Sequence, residues 1–224
     1  MKLSILFPFV ACLLIISCKT EPKQEKTAPE PQKSIPEKIA HAHGIDYWKK
    51  VDKIRFTFNV DRDTSHFQRS WIWDLNQNQV TSITEMDTTV YSRSEVDSLT
   101  AKVDAGFIND KYWLLAPFNL IWDQDAYSFD HSTEEIAPIS KSPMQKLTIV
   151  YEGSGGYTPG DAYDFYFGDD YLLKEWVFRK GNQKENSLVT TWEDYEAIQN
   201  LEIGKRHKNE DGSFALYFTD IKVN

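Results

Sequence analysis

Residues 162–179 read AYDFYFGDDYLLKEWVFR, two β-rich runs on either side of Gly168-Asp169-Asp170. That spacing is the turn chemistry of a hairpin. In the first run Tyr163, Phe165 and Phe167 oppose Tyr166; in the second, Leu173 and Val177 oppose Leu172, Trp176 and Phe178. Both strands are therefore apolar on both faces. Such a sheet must be covered on both sides or must enclose something. Helices over one face and loops over the other satisfy the condition as well as a ligand does.

The same period of two runs outward through the chain. Ile54, Phe56, Phe58 and Val60 alternate with Arg55, Thr57 and Asn59, which predicts a strand with one apolar and one wet face. Residues 69–75 and 80–86 flank Asn76-Gln77-Asn78, a second hairpin whose turn suits asparagine. Residues 88–92, 111–115, 145–152, 187–192 and 214–223 complete the predicted strands, the last two separated by a polar loop holding Gly204 and Asp211-Gly212. Ser34-Ile35-Pro36-Glu37 reads as a capping box, predicting a helix over about 36–50 that Gly44 weakens; a short helix is expected at 94–102 and, after Pro117, a short helix or buried loop at 118–122. The fold class is α+β: a large, mostly antiparallel sheet of about 9–11 strands with a few short helices.

The first 18 residues give an address. Lys2, an apolar run and Ile15-Ile16-Ser17-Cys18 have the order of a secretory signal. The tetrapeptide resembles the lipobox of bacterial lipoproteins, which implies cleavage before Cys18 and acylation of that cysteine. Dual acylation anchors a protein stably where one chain does not. Residues 19–34 are almost all Lys, Glu, Gln, Thr and Pro; such a segment buries nothing and acts as a tether. The expected organisation is a signal peptide (1–17), a lipidated Cys and tether (18–35) and one domain (36–224). With no run of acidic residues after Lys19, the expected location is the cell envelope, on the periplasmic face of the outer membrane.

Composition narrows the function. The only cysteines are Cys12 and Cys18, so no disulfide staples the body, and removing residues 1–17 leaves 24 basic and 34 acidic side chains. An acidic body disfavours nucleic acid and anionic lipid surfaces as partners. Asp74-x-Asn76-x-Asn78 with Glu85 imitates a calcium loop, but Gln79 stands where the sharp turn needs glycine. His41 and His43 are two apart, where zinc ligands on a helix need three or four, and His66, His131 and His207 are scattered. No metal or cofactor is expected. Asp123, Asp125, Asp161 and Asp164 are acidic pairs near aromatics, which as local pairs are turn caps more often than glycosidase carboxylates. Gly153-Ser154-Gly155-Gly156 lacks the Lys and Ser/Thr of a phosphate loop. No nucleophile elbow occurs, and no enzyme is expected. What remains is an aromatic load, including Trp71, Trp73, Trp113, Phe118, Trp122, Tyr163–Phe167 and Trp176, of the kind that lines apolar cavities.

His43-Gly44, Trp48, FINDKYWLLAPF at 107–118, Trp122-Asp123, GGYTPGDAY at 155–163 and Glu175-Trp176 together resemble a family of uncharacterised bacterial lipoproteins, over residues 38–222. That family is distantly similar to the lipoprotein-localisation superfamily of LolA and LolB. The resemblance implies an unclosed half-barrel whose concave face is plugged by short helices and binds acyl chains or other apolar ligands. By position it makes the 113–122 segment, with Trp113, Phe118 and Trp122, the inner plug, and Trp71, Trp73, Phe165 and Trp176 the concave wall. The expected function is non-enzymatic binding of an acyl chain or lipoprotein by a membrane-anchored protein. The alternative is a structural, glycan- or protein-interaction lipoprotein with a filled core.

Overall fold

The computed structural model describes residues 32–153 and 158–224. The expected signal, Cys18 and nearly all of the tether lie outside the described residues, as does the middle of the glycine-rich loop at 153–156. Two short helices come first, α1 (Ile35–Ala42) and α2 (Ile45–Trp48). The capping box forms as the sequence predicts: Ser34 Oγ accepts from the Glu37 backbone N–H while Glu37 accepts from the Ser34 N–H. The single helix expected over 36–50 is interrupted at Gly44, which has φ +92° and whose missing Cβ would stand 2.1 Å from the Asn200 carbonyl oxygen. Only glycine fits so close to another backbone at that angle.

Twelve strands follow: β1 (Lys53–Arg62), β2 (Ser65–Asp74), β3 (Gln79–Ile83), β4 (Thr88–Ser92), β5 (Tyr127–Ile136), β6 (Pro143–Tyr151), β7 (Ala162–Phe167), β8 (Leu173–Arg179), β9 (Leu188–Thr191), β10 (Glu193–Ile198), β11 (Leu201–Lys208) and β12 (Phe214–Val223). The helix α3 (Ala101–Trp122) lies between β4 and β5. Every pairing is antiparallel, in two sheets ordered β10-β11-β12-β1-β2-β3-β4 and β5-β6-β7-β8-β9. Only Trp192 separates β9 from β10, so one bent run ends the smaller sheet and starts the larger. The corner is stitched by the Lys208 N–H donating to Thr191 Oγ1 at 3.2 Å and by His207 Nδ1 donating to the Thr191 carbonyl at 3.2 Å. The outer edges, β4 and β5, never meet. The result is a half-barrel, and α3, which joins those two edges in sequence, runs across its concave side.

Helix α3 is buried on two sides. Phe107, Leu114, Leu115 and Phe118 pack with Ile54, Phe56, Trp71 and Val80 of the larger sheet. Tyr112, Ala116 and Leu120 pack with Leu147, Ile149, Phe165 and Trp176 of the smaller one. A helix apolar all round belongs in a core, and each large apolar side chain fully buried here contributes roughly 1.5–3 kcal/mol. Pro117 lies inside it, and the backbone departs from helical at Leu115 (φ −124°, ψ 22°). Proline cannot donate to the carbonyl four residues back and clashes with it, hence the kink. Asp110, fully buried, pins α3 to β2, accepting from Arg69 Nε at 2.6 Å, Arg69 Nη2 at 2.8 Å, Trp71 Nε1 at 2.8 Å and Asn109 Nδ2 at 3.0 Å. Gly106 leaves room for that guanidinium, since a Cβ there would meet Arg69 Nη1 at 2.7 Å.

The outer face of the smaller sheet has its own cover. Glu175, buried on that face, accepts the Ile139 and Ser140 backbone N–H groups at 2.6 and 2.8 Å, holding the β5–β6 loop over Tyr166, Val177, Met144 and Val189. The two-faced apolarity of 162–179 is thus met by a helix on one side and a loop on the other. Among the described residues no helix is long and apolar enough to cross a membrane.

Four expectations change. The strand expected at 111–115 and the short helix or buried loop expected at 118–122 are parts of α3, and the helix expected at 94–102 is mostly turn. Strands β10 and β11 occupy much of the expected polar loop between 192 and 214, and β5 is a further strand, its Tyr127 and Phe129 alternating with Ser128 and Asp130.

Candidate ligand cavity

On α3, Asn109, Tyr112 and Trp113 stand at i, i+3 and i+4 and so share one face. Opposite them the β7–β8 hairpin pairs Tyr163 with Phe178 and Phe165 with Trp176, and β9 sets Leu188 beside Phe178. Side chains of Asn109, Tyr112, Trp113, Thr158, Tyr163, Trp176, Phe178 and Leu188 line a cavity of about 230 Å³ that opens to solvent. Its rings interlock: Trp113 meets Trp176 edge-on at 4.5 Å, Tyr112 lies 5.1 Å from Tyr163, and Tyr163 lies 5.4 Å from Trp176 and 5.2 Å from Phe178. Tilted and edge-on pairs of this kind hold each other in place.

The polar groups at the cavity are neutral. Thr158 Oγ1 and Tyr163 Oη are 3.0 Å apart, and Tyr151 Oη behind the wall lies 3.3 Å from Tyr112 Oη and 3.0 Å from Asp123 Oδ2. Burial, with a nearby carboxylate added, pushes the phenols of Tyr151 and Tyr163 well above their usual range, so both stay protonated. Nothing here is arranged as a nucleophile with its base.

The residues singled out from sequence divide between two places. Trp113 and Trp176 line the cavity, and Phe165 lies fully buried behind Trp176, 6.0 Å from it. Trp71 is buried in the other half of the core with its Nε1–H on Asp110. Trp73, Phe118 and Trp122 gather around Trp48, at 5.9, 5.5 and 5.0 Å. The Lys111 amine sits among them, 5.1 Å from the Trp122 ring and 5.9 Å from Trp73, and burial pulls its pKa down to about 8. Cys18 lies outside the described residues. Tyr112, Tyr163 and Phe178 belong to the aromatic load of the sequence but not to the residues assigned to plug or wall, and Asn109, Thr158 and Leu188 were not singled out. The α3 face was legible only once 109–113 was taken as helix; Tyr163 and Phe178 were legible as cross-strand neighbours in the hairpin.

The other candidate groups are held apart. His41 Nδ1 is 2.6 Å from Asp46 Oδ2, whereas His43 turns inward, its Nδ1 on the Ile39 carbonyl at 2.8 Å and its Nε2 3.1 Å from Tyr195 Oη. Asp74 caps the hairpin turn by accepting the Gln77 N–H at 3.0 Å and pairs with Lys53 at 3.0 Å. Asp123 takes Asn119 Nδ2 at 2.7 Å, Asp161 takes the Gly181 N–H at 2.6 Å, and Asp164 pairs with Arg179 on the outer face at 2.9 Å.

No family model matches the chain, and no curated protein matches it in sequence. Solved structures do. A LolA superfamily protein from Nitrosomonas europaea aligns over 85% of this chain and 92% of its own, with 10% identity and a TM-score of 0.51. A DUF1329 family protein from Desulfovibrio piger aligns over 86% of this chain and 94% of its own, with 12% identity and a TM-score of 0.47. At such identities the likeness is one of fold, and the half-barrel spanned by α3 is similar in architecture to a LolA superfamily protein.

Proposed function

We propose that this chain is an envelope lipoprotein, anchored through Cys18 at the periplasmic face of the outer membrane, that works without catalysis by holding an apolar group, such as part of an acyl chain or a lipoprotein's lipid, in the cavity between α3 and β7–β9. The observation that carries the proposal is the cavity itself, about 230 Å³ between interlocked aromatic rings. The cavity is open to solvent where Asn109, Trp113, Thr158, Phe178 and Leu188 are half-buried, so a ligand can enter it, and its walls are mostly apolar. Trp113 and Trp176 form its wall with Phe165 behind, and the likeness in fold to a LolA superfamily protein supports the carrier reading.

The test uses the full chain, exported and folded intact, with a site-specific protease sequence placed within residues 19–32 so that the body is released from the membrane after folding. Native mass spectrometry and organic extraction of the released body are expected to show a bound apolar molecule, or its uptake from a panel of alcohols and acids of 4–18 carbons. A body at its bare mass that takes up no member of the panel overturns the proposal and makes the chain a scaffold. In parallel, Cys18→Ser is expected to lose acyl incorporation. Unchanged incorporation overturns the anchor.

A further inference from the structure

The cavity's size and its lack of charge say more than that its ligand is apolar. An engineered cavity of about 150 Å³ accepts a benzene. In proportion, the cavity of about 230 Å³ has room for about nine non-hydrogen atoms, which is one substituted ring or one chain of about eight carbons. No described lining residue carries a formal charge: they are Asn109, Thr158, two tyrosines, two tryptophans, Phe178 and Leu188. The charges that adjoin the lining are already engaged: Asp110, which takes Asn109 Nδ2 at 3.0 Å, is paired with Arg69 at 2.6 Å. Asp161 acts on Tyr163 from outside the lining and holds the Gly181 N–H, and Asp123 holds Tyr151 and Asn119. Arg179 is turned onto Asp164 on the outer face, and Lys111 stands among the rings around Trp48.

We infer that the cavity selects a small neutral amphiphile: one ring or chain of about nine non-hydrogen atoms seated among Trp113, Trp176, Phe178 and Leu188, with an uncharged hydroxyl, carbonyl or amide end toward Asn109, Thr158 and Tyr163. A carboxylate would be taken from water with no cation to meet it and would have to bind protonated or stay out. A chain longer than the cavity leaves its remainder in water, so binding energy stops growing with length.

This inference rests on the apolar-ligand reading, and the experiment separates the two. The released body is titrated by calorimetry at pH 8 with straight-chain primary alcohols of 4–12 carbons, with octanoate, octylamine and indole, and with hexadecan-1-ol. Affinity is expected to rise about fourfold per methylene, to level off near eight carbons, and to be at least tenfold weaker for octanoate and octylamine than for octan-1-ol, with indole binding. Leu188→Trp, which fills the cavity, is expected to abolish binding while the circular dichroism spectrum and melting temperature stay at the parent values. If affinity climbs unchecked through 12 carbons, if octanoate or octylamine equals octan-1-ol, or if only hexadecan-1-ol binds, the small neutral ligand is overturned while the apolar-ligand reading stands. Binding by none of them overturns both.

Discussion

Asp110→Asn is the most direct probe of what fixes α3 in the half-barrel. The carboxylate takes two N–H groups on each oxygen: Arg69 Nε and Trp71 Nε1 on Oδ2, and Arg69 Nη2 and Asn109 Nδ2 on Oδ1. An amide has one acceptor oxygen and one NH₂. Whichever way it is turned, the NH₂ faces two donors and two hydrogen bonds are lost. Arg69 also loses its counter-charge although its side chain is only 23% exposed. Removing one partner of a buried ion pair costs about 3–5 kcal/mol, and two lost bonds to a charged group, at roughly 1.5–3 kcal/mol each, give the same range. Urea unfolding followed by tryptophan fluorescence is expected to show a loss of about 3–5 kcal/mol for Asp110→Asn. In a double-mutant cycle with Arg69→Met the coupling should be about 2 kcal/mol, because either change alone already breaks the pair. A loss under about 1 kcal/mol, or effects that add to within about 0.5 kcal/mol, would refute the claim that this pair holds the helix.

Two further predictions concern buried titratable groups. Lys111→Met replaces an amine whose pKa is pulled from 10.5 to about 8 by burial among Trp73 and Trp122; the charged form bears a penalty of about 3 kcal/mol at neutral pH, part of it recovered by a side chain of similar length. The variant is expected to be more stable by about 1–2 kcal/mol at pH 7, and a chemical denaturation midpoint below that of the parent contradicts it. Burial also pulls His43 to about 4 and His207 to about 3, from 6.5. Below pH 6.5 the unfolded chain takes up protons that the folded one refuses, so stability is full above that pH and falls as pH drops, by about 1.4 kcal/mol per pH unit per histidine. Denaturant titrations at pH 7, 6 and 5 should show the fall, and His43→Gln should remove about one proton's worth of slope; a flat profile down to pH 5 rules the coupling out.

How far the sequence carried depended on which physical signal each element had to show. Strands with alternating or aromatic-rich runs announced themselves: 54–60, 88–92, 162–167 and 214–223 all lie within strands of the fold. Helix α3 did not, because it is packed between two sheets and has no polar stripe to set its period. Its Pro117 looked like a stop, yet the helix continues past the Leu115 kink. Strand β5 lies at an edge and is mostly exposed, so the alternation of Tyr127 and Phe129 with Ser128 and Asp130 is short and runs into the polar residues 131–135. In β11, Gly204 looked like a loop residue. In the sheet it pairs with Tyr195, and the space its side chain would fill is taken by Trp192 and Tyr195, at 3.1 and 3.3 Å from a Cβ built there. The site was half legible for the same reason: Trp113 and Trp176 stood out as aromatics, while Asn109 and Tyr112 needed the helix to place them beside Trp113.

The cavity and the corner of the half-barrel share a wall, and this couples ligand size to the fold. Trp113 meets Trp176 on the cavity side at 4.5 Å and His207 on the corner side at 5.3 Å. His207 in turn contacts Trp192, the residue at the bend between the sheets, at 4.4 Å, and donates to the Thr191 carbonyl. Pro117 cannot donate to the Trp113 carbonyl, so the kink of α3 falls in the turn that carries Trp113. To enlarge the cavity by moving Trp113 outward would therefore disturb a fully buried imidazole, the bend at Trp192 and the kinked turn of α3 together. Packed interiors resist such displacements, because each lost contact has no replacement. The wall is rigid for structural reasons, and a rigid wall around about 230 Å³ makes ligand length, rather than total apolar area, the quantity that binding should follow.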